Sequence, residues 1–154
     1  HTKLTRSWPL ARKLWFGIEN TNVLKWPLNQ PFYNQSMLGY GDFFLRGLDR
    51  YVIDGTAGAV LRNTLFRELF NFSIPFMHVR SHDRIPFRIY ATAFSDYGYA
   101  YNRDFKSNSL VNRMLYTAGF GVDVVTFYDL NFRLDYSFNQ LGQNGLFLHI
   151  RNDF

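Results

Sequence analysis

The chain has 154 residues, a formal net charge of +5 and no cysteine. The lack of cysteine excludes disulfides and thiolate metal sites, and no run of about 18 apolar residues is present that would span a membrane as a helix. The 17 lysine and arginine residues are spaced singly, which favours contacts with a polar lumen or anionic lipid over nucleic-acid binding.

The N-terminal part predicts one partial and one complete strand. Residues 1–7 read as the end of a strand and residues 8–11 as a turn, because Pro9 cannot donate a hydrogen bond in a central β-ladder. Residues 13–19 alternate apolar and polar side chains and predict the next strand. The first residue is His1 and no signal peptide is visible, so we expect a processed N-terminus or a piece of a longer protein.

A long irregular stretch, rich in glycine and proline, extends from residue 20 to residue 55. A loop of this length in a compact protein is usually functional or disordered. Its aromatic content argues against disorder, and the residues concerned are Trp26, Phe32, Tyr33, Tyr40, Phe43 and Phe44. We therefore expect an ordered loop with a functional role.

Five further strands are predicted, at 57–74, 87–101, 110–127, 131–138 and 146–154. The first of them alternates imperfectly, which predicts a β-bulge or a change of environment along it. Between the first and second of these strands, a turn at 75–86 contains His78, His82 and Asp83. Because no third ordered ligand is present, we interpret this turn as a polar surface and not as a metal site.

Charged residues in the last four predicted strands share one face when the strands are read with a two-residue period. The pairs are Arg88 and Asp96, Arg113 and Asp123, Arg133 and Asp135, and Arg151 and Asp153. The opposite face is apolar, including Leu110, Met114, Phe120, Leu134 and Leu148. A charged interior with an apolar, aromatic-rich exterior is typical of a membrane β-barrel; the alternative is an antiparallel sandwich that buries its apolar faces.

The strand count indicates an incomplete barrel. Six strands and a partial one are fewer than the eight or so of the smallest bacterial barrels. Open edges in lipid would leave backbone groups unpaired, at a cost of several kcal/mol each. We therefore expect residues 1–154 to form a single all-β, antiparallel domain that is incomplete at its N-terminus, with the missing strands supplied by a longer chain.

Two short motifs occur in and after the long loop. Leu45-Arg46-Gly47-Leu48 lies near the end of the loop, and Phe94-x-Asp96-x-Gly98 lies on the second strand after it. Asp96 is on the charged face, where an arginine can bind it through two hydrogen bonds. A glycine beside that arginine lets the backbone pass close to the wall.

These motifs, in this order and followed by five strands and a terminal aromatic residue, resemble the outer-membrane protein assembly superfamily (Bam-type, Tam-type and bacterial surface antigen proteins). Leu48 departs from the commoner phenylalanine or tyrosine. The resemblance implies a barrel of about sixteen strands, a loop folded into its lumen, and contact of Arg46 with Asp96. Glu68 is a candidate second acidic partner. The last strand, with Leu146, Leu148, Ile150 and Phe154, is similar to the family's C-terminal assembly signal and seam.

The resemblance further implies an integral outer-membrane protein of a Gram-negative bacterium that inserts nascent outer-membrane proteins through a lateral seam. Its expected partners are those nascent proteins, periplasmic lipoproteins of an assembly complex, and outer-membrane lipid, with no nucleic acid. We expect no enzyme activity, cofactor or metal, since no ordered catalytic motif is present. The alternatives are a two-partner-secretion-type transport pore and the barrel anchor of a fused lipid hydrolase.

Overall fold

A computed structural model describes residues 1–26, 35–41, 43–75, 84–103, 109–126 and 130–152. This part of the chain is all-β, and none of its segments is helical. The strands are β1 (Thr2–Ala11), β2 (Leu14–Leu24), β3 (Ser36–Leu38), β4 (Ile53–Asp54), β5 (Ala57–Pro75), β6 (Arg84–Tyr101), β7 (Met114–Val125), β8 (Leu130–Asn139) and β9 (Asn144–Asn152). Within these ranges the chain contains no helix of the length and hydropathy needed to cross a bilayer.

Seven strands form one antiparallel sheet in the order β1-β2-β5-β6-β7-β8-β9, and β3 and β4 form a small separate hairpin. Each main strand therefore pairs with the next main strand along the chain, and β1 and β9 lie at the two ends of the order. This confirms the expected all-β antiparallel architecture. The count differs from the predicted six strands, because β1 is a full strand.

The turn predicted at residues 8–11 was wrong. Those residues complete β1, and the turn lies at residues 12–13, where Lys13 has a φ of 63°. Proline is tolerated at this position because β1 is the terminal strand of the sheet order and the ladder is irregular between Pro9 and Ala11. β2 also continues to Leu24, five residues beyond its predicted end.

The start of the strand predicted at residue 110 was also wrong, because β7 begins at Met114. Asn112 has a φ of 56°, and its side chain accepts a hydrogen bond from the Asn102 backbone, which ends regular pairing there. Leu110, expected on the apolar exterior, is instead buried in the core at 3% exposure. Arg113, expected on the charged face, is exposed before the strand and donates to the carbonyl of Ser109.

The two faces of the sheet differ as the two-residue period predicted. Residues 35–41 and 43–56 cover one face, which we name the loop face; it buries Asp96, Asp123 and Asp135. The opposite apolar face exposes hydrocarbon and aromatic side chains on all seven strands, among them Leu4, Leu10, Leu24, Phe70, Phe72, Tyr97, Met114, Phe120, Leu134, Phe138, Leu146 and Leu148. The bulge expected in 57–74 is present between Glu68 and Phe70, and it keeps both Phe70 and Phe72 on the apolar face. The structure describes the backbone of Arg151 but not its side chain, and Asp153 lies outside the described residues.

The hydrophobic core is where the loop packs on the loop face. From the loop it contains Met37, Leu38, Phe43, Leu45, Leu48 and Ile53, and from the strands and the 109–113 segment Val60, Ala100, Leu110, Val111 and Leu115. A fully buried leucine contributes about 1.5–3 kcal/mol relative to an exposed one. The loop is therefore held by apolar packing as well as by its polar contacts.

Candidate functional site

The loop is fixed to the sheet by a buried ion pair between Arg46 and Asp96. The Arg46 Nε and one terminal nitrogen donate to the two carboxylate oxygens of Asp96 at 2.8 and 2.5 Å, and the Arg46 backbone N–H lies 3.3 Å from the same carboxylate. The side chains are 7% and 0% exposed. Parallel, charge-assisted bonds of this kind are the strong class, and lysine cannot reproduce them.

Neighbouring strand residues complete the site, which we name the loop lock. The Arg46 guanidinium donates to the Thr64 hydroxyl at 3.0 Å and lies 4.1 Å from the centre of the Phe94 ring. Leu45 packs over Gly98, where an added Cβ would come within 2.5 Å of a leucine methyl. Both motifs identified in the sequence therefore meet at one place, with the loop motif seated on the β6 motif.

Gly47 is required by both its conformation and its surroundings. Its φ is +86°, and a Cβ there would lie 2.7 Å from the Ser137 hydroxyl oxygen. Its carbonyl accepts a hydrogen bond from the Asn139 side chain at 3.1 Å, and its N–H donates to Asp49 at 2.9 Å. Leu48, at the position where the family usually has an aromatic residue, is buried in the core at 3% exposure.

A second arginine, Arg62 on β5, also holds the loop. It reaches from the sheet to the loop, whereas Arg46 reaches from the loop to the sheet. The sequence analysis missed it. Its guanidinium donates to the Phe44 carbonyl at 2.6 Å and lies 4.7 Å from the Phe44 ring centre. It also pairs with Glu19 on β2 at 2.6 Å, and Glu19 pairs with Lys3 on β1 at 3.1 Å. By the two-residue alternation Arg62 faces the loop side of the sheet, which was the available signal. The alternation in 57–74 is irregular, so the sequence analysis did not assign its faces and missed this residue.

The expectation that Glu68 is a second partner of Arg46 was wrong. Glu68 points to the loop face, as Arg62 does, but it lies four residues beyond Thr64, or about 13 Å along β5. It forms an ion pair with Lys13 at 2.9 Å instead.

The loop also contacts the last two strands and the connection between them. Asp49 lies 3.7 Å from the His149 imidazole on β9, and Tyr51 donates to Gln143 at 2.8 Å. At the outer end of the loop, Tyr40 donates to Asp54 at 3.2 Å; desolvation and the Asp54 carboxylate raise the pKa of the Tyr40 phenol. The loop thus bridges strands from β2 to β9.

The last strand places its apolar residues as predicted. Leu146, Leu148 and Ile150 are 64%, 64% and 61% exposed on the apolar face, whereas Phe154 lies outside the described residues. So do His78, His82 and Asp83. Across the described ranges no group of three or more histidine, cysteine or acidic side chains is arranged to hold a metal ion.

A cavity of about 320 Å³ lies beside the loop lock, between the first strands of the sheet and the last. Its lining combines the aromatic rings of Phe44 and Phe66 with the charged groups of Glu19, Arg62 and Arg133. Arg133 is bound to Asp123 by two hydrogen bonds, one of them 2.7 Å long. The cavity therefore has ion-paired charged groups beside aromatic rings.

The chain matches no family model, and comparison with curated proteins and with solved structures gives no significant match. The family resemblance of the two motifs therefore stays a prediction.

Proposed function

We propose that this sheet is the C-terminal part of an outer-membrane β-barrel of the assembly superfamily, and that β9 forms one side of a seam through which nascent outer-membrane proteins are inserted. The observation that carries the proposal is the arrangement of the two faces. Apolar side chains are exposed on all seven strands of one face, while ion pairs and a docked loop occupy the other.

Lipid is the environment that suits this arrangement. A soluble sandwich packs its apolar face against a second sheet, but no described segment covers the apolar face here. Exposed side chains such as Phe120 and Leu134 would cost about 25 cal/mol for each Å² left in water. In a bilayer the same side chains contact acyl chains, and the charged face lines a wet lumen.

The position of β9 in the sheet supports the proposed seam. It is the last strand of the sheet order, so one edge of it is unpaired within the described residues. Free N–H and C=O groups on such an edge can template an incoming strand by β-augmentation. The loop lock braces the lumen while the seam moves, because it fastens the loop to the strands in the middle of the sheet.

A transport pore is the second candidate, and the ion-paired loop face, which would line a wet lumen, favours it. A pore exports one dedicated protein through the lumen, whereas an insertase releases many proteins sideways at the seam. An insertase places its client at the free edge of β9, whereas a pore places it against the loop face.

A photo-cross-linking amino acid introduced singly into the full-length protein distinguishes these functions. Position Leu148 on β9 and position Phe120 on β7 are matched, because both lie on the apolar face at 64% and 57% exposure. An insertase predicts cross-links from position 148 to many newly made outer-membrane proteins, and cross-links from position 120 to lipid. Equal capture of nascent proteins at both positions, or none at either, would contradict it. Capture of a single exported protein from Phe66, in the cavity, would favour the pore.

A further inference from the structure

Asp135 on β8 is a buried carboxylate without a partner. It is 2% exposed, and neither of its oxygens lies within hydrogen-bond distance of a donor among the described residues. Burying an unpaired carboxylate is costly, and native proteins contain few such groups. The basic groups whose charges act on it are Arg133, Arg46 and His149, and Asp123 is the acidic one.

The carboxylate lies across the neighbouring strand. Asp135 pairs with Gly121 of β7, and Gly121 pairs with Thr92 of β6. A Cβ added at Gly121 would collide with Asp135 Oδ1, so the carboxylate fills the space above this glycine. It therefore extends from β8 toward β6, the strand that carries the loop lock.

The loop lock extends to Gly119, the neighbour of Gly121 on the loop face of β7. The ring of Phe94, on which the Arg46 guanidinium lies, covers Gly119; a Cβ there would be 2.6 Å from the ring. Gly119 and Gly121 are successive loop-face positions on β7, about 7 Å apart. The Arg46 guanidinium and the Asp135 carboxylate are therefore neighbours on the loop face of the sheet.

We propose that Asp135 is a second docking carboxylate for Arg46, so that the loop lock has two positions. The second position repeats the chemistry of the first. The occupied site combines the Asp96 carboxylate with the Thr64 hydroxyl, and Asp135 has beside it on β8 the buried hydroxyl of Ser137, which is also without a partner. Arg133 directs its two parallel hydrogen bonds to Asp123, and none of its nitrogens is hydrogen-bonded to Asp135.

With two docking sites, the loop could move along the loop face of the sheet while Arg46 remains paired with a carboxylate. This gives the loop a second resting place while a seam opens. The inference depends on the docking of the loop seen here and not on insertase activity, so it can fail or hold independently of the proposed function.

The test measures how often the loop undocks, using a single cysteine as a probe. The natural chain has no cysteine, and Leu48→Cys places one under the loop at a position 3% exposed. In the full-length protein, its rate of reaction with a thiol reagent reports the undocked fraction. The variants are Asp96→Asn, Asp135→Asn and both together, with Glu68→Gln replacing Asp135→Asn in a matched control pair.

The two-position lock predicts that Asp135→Asn alone changes the rate less than twofold. Asp96→Asn alone raises it moderately, because Arg46 moves to Asp135. The double variant should react at least tenfold faster than the product of the two single effects, whereas Asp96→Asn with Glu68→Gln should equal its product. A double variant that also equals its product would overturn the inference.

Should the double variant fail to fold, the reach of the loop can be measured directly. Arg46→Cys is combined in turn with Asp96→Cys, Asp135→Cys or Glu68→Cys, and a thiol cross-linker about as long as an arginine side chain is added. The two-position lock predicts efficient cross-linking of position 46 to positions 96 and 135, and little cross-linking to position 68. Joining at 135 no better than at 68 would also overturn it.

Discussion

Replacing Arg46 by lysine tests whether the geometry of the loop lock matters, and not only its charge. Lysine keeps the positive charge near Asp96 but loses the second parallel hydrogen bond and the contact with Thr64. Each hydrogen bond to a charged group is worth about 1.5–3 kcal/mol. Since the ammonium recovers part of this, we expect the docked loop to lose about 2–3 kcal/mol, and Arg46→Ala to cost about 3–5 kcal/mol by leaving Asp96 buried and uncompensated.

The assay is the reaction of a single cysteine at Leu48 with a thiol reagent. A loss of about 2–3 kcal/mol corresponds to a roughly 30- to 150-fold rise in the undocked fraction, because about 1.4 kcal/mol changes an equilibrium tenfold. A cysteine at the exposed loop residue Arg50 gives the rate of the unprotected thiol. If Arg46→Lys reacted within twofold of the parent, charge alone would hold the loop and the argument from paired bonds would be refuted.

Three further predictions concern other contacts of the sheet and loop. Phe120→Arg should destabilise the membrane-inserted protein by about 2–4 kcal/mol if the apolar face meets mid-bilayer lipid, measured by thermal unfolding in vesicles; Phe120→Leu is the control, and an unchanged melting curve for the arginine variant would contradict the lipid facing. Gly47→Ala should cost about 1–3 kcal/mol of loop docking from backbone strain and the contact with Ser137. Gly41→Ala, also in the loop and with a φ of +57° but open space around it, isolates the strain, so equal cysteine reactivity in the two would disprove the steric part. Arg62→Gln should expose the Leu48→Cys thiol at least tenfold more, through loss of its bonds to Glu19 and Phe44; Arg67→Gln, exposed on the same strand, should not, and equal effects would mean that Arg62 has no special role.

The contact between Arg46 and Asp96 was predicted from the resemblance of the two motifs to the outer-membrane assembly superfamily, and the alternation of the strand supported it independently. Parity alone put Asp96 on the charged face, and a strand keeps that facing along its whole length. The choice of Arg46 as the partner came from the resemblance, because the Arg-Gly pair alone is a weak signal. Residue chemistry then limited the match, since a buried arginine needs a carboxylate.

Glu68 and Arg62 show where the same reasoning failed. Both lie on the loop face of β5, and parity cannot say which of them the loop reaches, because that depends on how far along the strand the loop lies. Lys13 pairs with Glu68 through the register of β2 and β5, and Arg62 meets Phe44 because the loop lies against that part of the strand. Local sequence patterns determine neither the register of β2 with β5 nor the position of the loop along β5.

The facing of most residues in the last four strands, the antiparallel class and an irregularity somewhere in 57–74 were readable from the chain alone, since alternation and its interruption act over a few neighbouring residues. The full length of β1, the burial of Leu110 and the unpaired state of Asp135 depended on the fold. Each of these is settled by groups far away in sequence: the register with β2, the loop packed on the sheet, and the guanidinium that Asp96 rather than Asp135 binds.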